Sequence, residues 1–439
     1  MKALKVFLPV ILVALLALAW FSTISSTLST ISQKNDYAQE AKESMKQKLY
    51  AQAIEYYKKS LEYDDSKRTY LKIKEAYELF YEEEQTPSVR SAYIDDMLSA
   101  ARAYEKEAVF WETAVNLYLD AGNDSMAYKT AKRGINCGAS GKELNAAYQE
   151  LLYKTKVDYR LYQTVRDGLN GYLTVSDGTD WTVLDGRGRQ LFGNYRFAGP
   201  VNDDGYCLVM NDIDTRLIDR DEVTRARFDF EVEDAGCYDP ETGLTPVLTD
   251  GDWKYVNREG KLLSGEYEEA GAFCGGRAAV KQDGKWFLID ETGKAASKTK
   301  FEDIKLDLCG RHLQSGVVIA KEGKKYHLYN EDLSKIGSFE CDDIDICIDG
   351  GLIAFEKNGK WGFVNTKGEI EKEPAYSEAK SFANGYAAYC EKNKWGFLNE
   401  EFKSVIKPQY VEAFYFNSEG LCVVSNSDHA YQTMTFKFE

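Results

Sequence analysis

Two acidic stretches raise the question of chemistry first: NDIDTRLIDRDE (Asn211–Glu222) and CDDIDICIDG (Cys341–Gly350) crowd carboxylates as a calcium site does. Neither contains the calcium loop of about twelve residues with Gly at its sixth position and Glu at its last, so both read as solvated turns. His312, His327 and His429 lack metal-ligand spacing, and His327 falls in a predicted strand, where an imidazole is more often structural. Nine cysteines (137, 207, 237, 274, 309, 341, 347, 390 and 422) include no close CxxC pair. An exported domain stapled by disulfides shows a denser, even pattern, so most are expected as buried thiols acting as small hydrophobes, with a single disulfide left open. No Gly-rich phosphate loop or GxSxG elbow is present. The residues therefore assign no catalytic, cofactor-binding or metal site. A recurrent tryptophan, at Trp181, Trp253, Trp286, Trp361 and Trp395, could stack a sugar or a base, but repetition at equivalent positions favours packing between adjacent sheets.

The elements that position these tryptophans are counted by glycine. Gly351 precedes Trp361 by ten residues, as Gly385 precedes Trp395; the same interval joins Gly171 to Trp181, Gly205 to Thr215, Gly243 to Trp253, Gly276 to Trp286 and Gly316 to Tyr326. Gly420, eleven residues before Tyr431, begins an eighth unit. A short apolar strand follows each glycine (YLTV, YCLV, AAV, VVIA, LIAF, YAAY, LCVV). A tight turn then reverses the chain, with Asp177-Gly178, Asp250-Gly251, Asp283-Gly284 or Asn358-Gly359 at its corner, dipeptides that tolerate positive φ. The second strand carries the aromatic and ends in Asp or Asn (WTVLD, WKYVN, WFLID, YHLYN, WGFVN, WGFLN), and a Gly often follows three residues later, a signal for a turn into a third strand. Links such as PAYSEAKSFANG lead to the next unit, with Tyr376, Ala379 and Phe382 spaced to turn inward. Cys207 and Cys422 hold the second position after the unit glycine and are expected in the core.

Trp361-Gly362 and Trp395-Gly396 resemble the WG-repeat family over about 280 residues. The two C-terminal units match closely; Trp181, Trp253 and Trp286 lose the following Gly, and TRLIDRDEV has lost the aromatic. The resemblance implies a repetitive, propeller-like β fold that serves in binding or scaffolding. The tail supplies the first two strands of the eighth unit, and DYRLY (Asp158–Tyr162) resembles an orphan third strand, so joining them closes a ring and removes both exposed edges. The expectation is a closed propeller of seven or eight blades, each of three strands, with an open β solenoid as the alternative.

Residues 35–155 read differently, with apolar residues at three- and four-residue intervals. KLYAQAIEYYKKSLEYDDS sets Tyr50, Ala53, Ile54, Tyr57, Ser60 and Leu61 on one face, and FWETAVNLYLDAGNDSMAYKTAKRGI repeats the pattern with Trp111, Tyr118, Gly122, Ala127, Ala131 and Gly134. These helices resemble tetratricopeptide repeats, with Tyr70–Glu105 as a further unit stretched by the loop EEEQTPSVR. That resemblance implies a concave surface for peptides or proteins; a helical spacer is the plainer reading.

Ahead of them, Lys2 and Lys5 precede an uncharged apolar run of 16 residues, Val6–Phe21. It falls between a signal-peptide core of about 7–15 residues and a span of about 20. Residues 1–24 are expected to be an uncleaved signal anchor, or else a cleaved signal peptide; both export the remainder. A Ser/Thr-rich linker over 25–34, the helical repeats and a β domain over 156–439 complete a multidomain α plus all-β chain. The formal net charge of −16 opposes a nucleic-acid partner, because phosphate binding needs a basic footprint. Two functions remain in view. One is a membrane-tethered, extracytoplasmic protein-binding scaffold that is not an enzyme; the other is a propeller enzyme or carbohydrate-binding protein acting on cell-envelope glycans.

Overall fold

The computed structural model describes residues 20–23, 25, 28, 31–63, 65–166, 171–263, 265–428 and 430–438. The chain separates into two compact units, one ending at Lys154 and one beginning at Thr155. The apolar run Val6–Phe21 lies outside the described residues except for Trp20 and Phe21. Among the described residues no helix is long and apolar enough to cross a membrane.

The first unit is helical: α1 over 31–46, α2 Tyr50–Leu61, α3 Lys67–Glu83, α4 Pro87–Ala103, α5 Ala108–Asp120, α6 Asp124–Asn136 and α7 Lys142–Leu152. Helix α2 buries Tyr50, Ala53, Ile54, Tyr57 and Ser60, the face expected from its spacing. EEEQTPSVR is mostly helix rather than loop. Only residues 84–86 lie outside α3 and α4, because Pro87 opens α4 where no N–H is needed and the Thr86 hydroxyl accepts from the Val89 N–H. Tyr77 of α3 stacks on Tyr93 of α4 with ring centroids 4.7 Å apart. In α6, a Cβ added at Gly134 would lie 2.8 Å from Trp111 Cγ, so glycine is what lets α6 approach the buried indole of α5.

The second unit is a closed ring of eight antiparallel sheets, a β-propeller. The blades span residues 164–195, 197–228, 234–267, 269–301, 303–341, 343–376 and 378–410; the eighth joins 412–436 to the strand Thr155–Val157. Blade 7 shows the plan: a two-residue inner strand Glu378–Ala379, then Tyr386–Glu391, Lys394–Asn399 and the outer strand Ser404–Tyr410. The expected three strands per blade are thus corrected to four. The extra strand lies in the links, as Glu378–Ala379 does within PAYSEAKSFANG, and two residues are too few to carry an alternating pattern. In blades 3 to 5 the outer strand narrows to bridges at two points, as at Trp253–Tyr267 and Val256–Leu262.

Closure excludes the open solenoid. Thr155, Lys156 and Val157 pair with Phe436, Thr435 and Met434, three residues earlier than expected, and Tyr162 then bridges Tyr431. The Asn358-Gly359 corner takes φ of 55° and 75°, the paired positive values that suit a two-residue hairpin. Asp177-Gly178 departs from this: Asp177 accepts from the backbone N–H of Thr179 and Asp180 and makes a wider turn. The Asp or Asn ending each third strand has a repeated duty. Asp290 Oδ1 accepts from Thr292 N (2.8 Å) and Lys294 N (3.1 Å), and Asn399 does the same for Glu401 and Lys403.

Candidate functional site

Each tryptophan faces an outer-strand residue, in the pairs Trp181–Tyr195, Trp253–Tyr267, Trp286–Phe301, Trp361–Tyr376 and Trp395–Tyr410. Trp286 is buried, but Trp181, Trp253, Trp361 and Trp395 are only half-buried at the edge of the blade interface. The fully enclosed aromatics stand two positions later, at Tyr255, Phe363 and Phe397. Trp181, Trp253, Trp286 and Trp361 pack against the blade cores, and the deepest core belongs to their neighbours.

The glycine of Trp-Gly has a local cause. A Cβ on Gly362 would meet Lys372 O at 2.5 Å and Pro374 N at 2.7 Å; a Cβ on Gly396 would collide with Ile406 O and meet Pro408 N at 2.7 Å. The outer strand of these two blades bulges onto the tryptophan strand at a proline. In blade 1 the small residue has changed strand: Thr182 follows Trp181, and Gly193 opposite it leaves the space, since a Cβ there would lie 2.6 Å from Thr182 Oγ1. Blades 3 to 5 lack a continuous outer strand at this level and accommodate Lys254, Phe287 and His327.

The inner strands carry a recurrent acid at one register: Asp234, Glu269, Asp303, Asp343, Glu378 and Glu412. Arg166 holds Asp234 at 2.6 Å, Lys281 holds Glu269 at 2.6 Å and Lys305 holds Asp343 at 3.1 Å. The Tyr326 hydroxyl donates to Asp303 at 2.5 Å and that of Tyr431 to Glu412 at 3.1 Å. Sequence reading missed this row, although the Asp/Glu-Ala/Ile pair ahead of six of the eight unit glycines was available as its signal.

The loops leaving these inner strands meet one another. Tyr415 of blade 8 donates to Asp345 of blade 6 at 2.8 Å, and Leu308, Ile346, Ile348, Ala383 and Tyr415 form one apolar cluster from four blades. From blade 5, Asp307 accepts from Cys309 N, Arg311 N and Arg311 Nε at 2.8–2.9 Å, and Arg311 reaches Asp203 of blade 2 at 2.8 Å. Burial pushes the Asp307 carboxyl up against the lowering pull of Arg311. Beside it His312 is 1% exposed, its Nδ1 has no partner, and burial lowers it to about 4, so it is neutral at physiological pH. Burial also raises the half-buried Cys274 thiol. The bonds of Asp307 and Arg311 tie the loops of blades 5 and 2 together.

The acidic stretches resolve the same way. Asp214 lies between Arg216 and Arg227, Asp219 accepts from Arg225, and Asp342 pairs with Lys325. Among the described residues no group of His, Cys, Asp or Glu side chains could hold a metal ion. His327 sits in a strand with Nδ1 3.2 Å from Phe339 O, and His429 lies outside the described residues. Cys207 and Cys422 are buried as expected.

Blade 2, with Thr215 in the tryptophan position, bonds the Thr215 hydroxyl to Phe230 O at 2.7 Å and turns at Asn211–Asp214. Ile213 stands 88% exposed on that turn, on a cleft of about 280 Å³ shared with Asp212, Phe228, Asp229 and Glu231. A second cleft, about 450 Å³, is lined by Ile348, Asp349, Leu352, Asn384 and Glu400.

These features define a β-propeller whose repeated residues build the ring. The family model described as WG containing repeat matches residues 255–286, 361–395 and 395–428, so the chain carries WG repeats at these places. No curated protein matches the chain. Similar solved structures include the Myceliophteria thermophila Cps50 (Swd1) beta-propeller domain, 9% identical over 64% of this chain and 99% of that one, TM-score 0.37. The WD40 domain of SCAP from fission yeast is 8% identical over 65% of this chain and 98% of that one, TM-score 0.39. Both likenesses are weak, and the ring rests on the strand pairing of this chain.

Proposed function

We propose that the chain is a non-enzymatic protein-binding scaffold, tethered to the membrane through Val6–Phe21, with its bulk on the extracytoplasmic side. One observation carries the binding reading: recurrent groups are spent on construction, while the unit that departs furthest from the repeat leaves Ile213 in solvent beside an acidic cleft. An isolated large aliphatic residue held on a stapled turn suits burial in a partner with basic groups at its rim. The tether and its orientation are supported by Lys2 and Lys5 ahead of the apolar run, with no further Lys or Arg until Lys34. Protein partners crosslinked to the full chain in intact cells test the reading. Defined partners should be recovered and then lost with Ile213→Asp, and recovery unchanged by that substitution would refute the assigned surface.

The enzyme or carbohydrate-binding reading has one observation in its favour, the two carboxylates Asp349 and Glu400 in the larger cleft. Cleavage of envelope glycan by the full chain, abolished by Glu400→Gln, would replace the scaffold reading with this one.

A further inference from the structure

Two thiols meet among the inner loops. Cys237 leaves the inner strand of blade 3 and Cys309 that of blade 5, 72 residues apart in sequence. With Ala272 of blade 4 they form a separate cluster, each thiol residue 3% exposed. Both are free thiols gathered in that one buried cluster. Cys309 is fixed on its other side by its own loop, where its N–H donates to Asp307 at 2.9 Å and its Sγ lies 3.9 Å from Val201 O. In the strands, Cys207 directs Sγ to Gly199 O at 3.3 Å and Cys422 to Phe414 O at 3.5 Å.

We propose that Cys237 and Cys309 form a disulfide that clamps the inner loops of blades 3 and 5 across blade 4. The reaction joins two Sγ atoms and releases two protons and two electrons, which pass to a disulfide co-reactant that is reduced to two thiols. One thiolate attacks the co-reactant and expels its first thiol, and the second then attacks the protein sulfur of the mixed disulfide, forming the Cys237–Cys309 bond and expelling the co-reactant's second thiol. Burial holds the Cys237 thiol well above its ordinary range, and Cys309 beside it adds to the effect, so the exchange is slow in the closed ring. It proceeds when the loops part, during folding or transient opening. Once formed, the bond constrains the unfolded chain across a loop of 72 residues and resists reopening. The oxidation requires a disulfide co-reactant held at a more oxidising potential than the Cys237–Cys309 pair.

The test uses the full chain, reduced, then held with oxidised glutathione in urea low enough to keep its circular dichroism native. An acid quench, alkylation and non-reducing peptide mapping follow. Expected are a peptide pair joined through Cys237 and Cys309, the loss of two of the nine titratable thiols, and a rise in the urea midpoint. Cys237→Ser and Cys309→Ser should each abolish the linked pair and the rise, whereas Cys274→Ser should keep both. Retention of all nine thiols while the same oxidant converts an unstructured dithiol peptide would overturn the proposal. A link from either cysteine to Cys274 would overturn it equally.

Discussion

Tyr162 and Tyr431 bond each other's backbones in both directions, N to O at 2.9 Å each way, where the beginning of the propeller meets its end. This is the position at which Trp361 faces Tyr376 in blade 6 and Trp395 faces Tyr410 in blade 7. The chain thus closes its ring by completing an eighth copy of a pair it makes within single blades. Tyr162 is buried against Leu173, Leu184, Leu421 and Val423, contacts from both sides of the junction. Tyr162→Ala should lower propeller stability by about 3 kcal/mol, read from the urea midpoint, with the helical unit retaining its circular dichroism.

The tryptophans and their neighbours should separate on truncation. Phe363→Ala removes a fully buried ring that touches Tyr376, Phe382 and Phe402 and should cost about 3–5 kcal/mol. Trp361→Ala, at a half-buried indole, should cost less. Equal losses would mean that the indole is as enclosed as the phenyl ring.

The glycine exchange between strands yields a coupling. Gly396→Ala should cost about 1–3 kcal/mol, because the obstruction is backbone at Ile406 and Pro408. Gly193→Ala should be rescued by Thr182→Gly, since the obstruction there is the Thr182 hydroxyl. A double-mutant cycle on urea midpoints should therefore be non-additive, and additivity would show that the two positions do not share the space.

Acid should loosen the stapled turns. The Asp290 carboxyl is held below its ordinary 3.8 by the Thr292 hydroxyl and by the N–H groups of Thr292 and Lys294. A depressed folded value stabilises above about 3.8, and the contribution is lost as pH falls through the lower folded value. Asp185 is lowered as well, burial opposing backbone and side-chain bonds from Arg189 that win. Asp290→Asn keeps the acceptor, as Asn399 does naturally, so its urea midpoint should change less than that of the parent between pH 6 and pH 3.

Much of this architecture was readable in the sequence because its signals are local. Glycine-to-tryptophan spacing, hairpin corners and strand-ending Asp or Asn each reflect a turn that the nearby backbone requires, and the leftover strands at the two ends pointed to closure. Two kinds of feature escaped. Inner strands of two residues leave no periodicity, so in the sequence the recurring acids and the fourth strand read as links. The inner-loop network of Asp203, Asp307, Arg311, Cys237 and Cys309 joins residues from separate blades, and no local pattern marks such a contact. EEEQTPSVR misled for a different reason: its acids and proline resemble a loop, yet Pro87 stands where a helix can begin.

Native-state hydrogen exchange at the ring junction tests the closed propeller most directly. The amides of Tyr162 and Tyr431, with those of 155–157 and 434–436, should be protected to the same degree as Trp395 and its neighbours in blade 7. Exchange at the rate of an exposed strand edge at the junction, with blade 7 still protected, would contradict closure and restore the open solenoid.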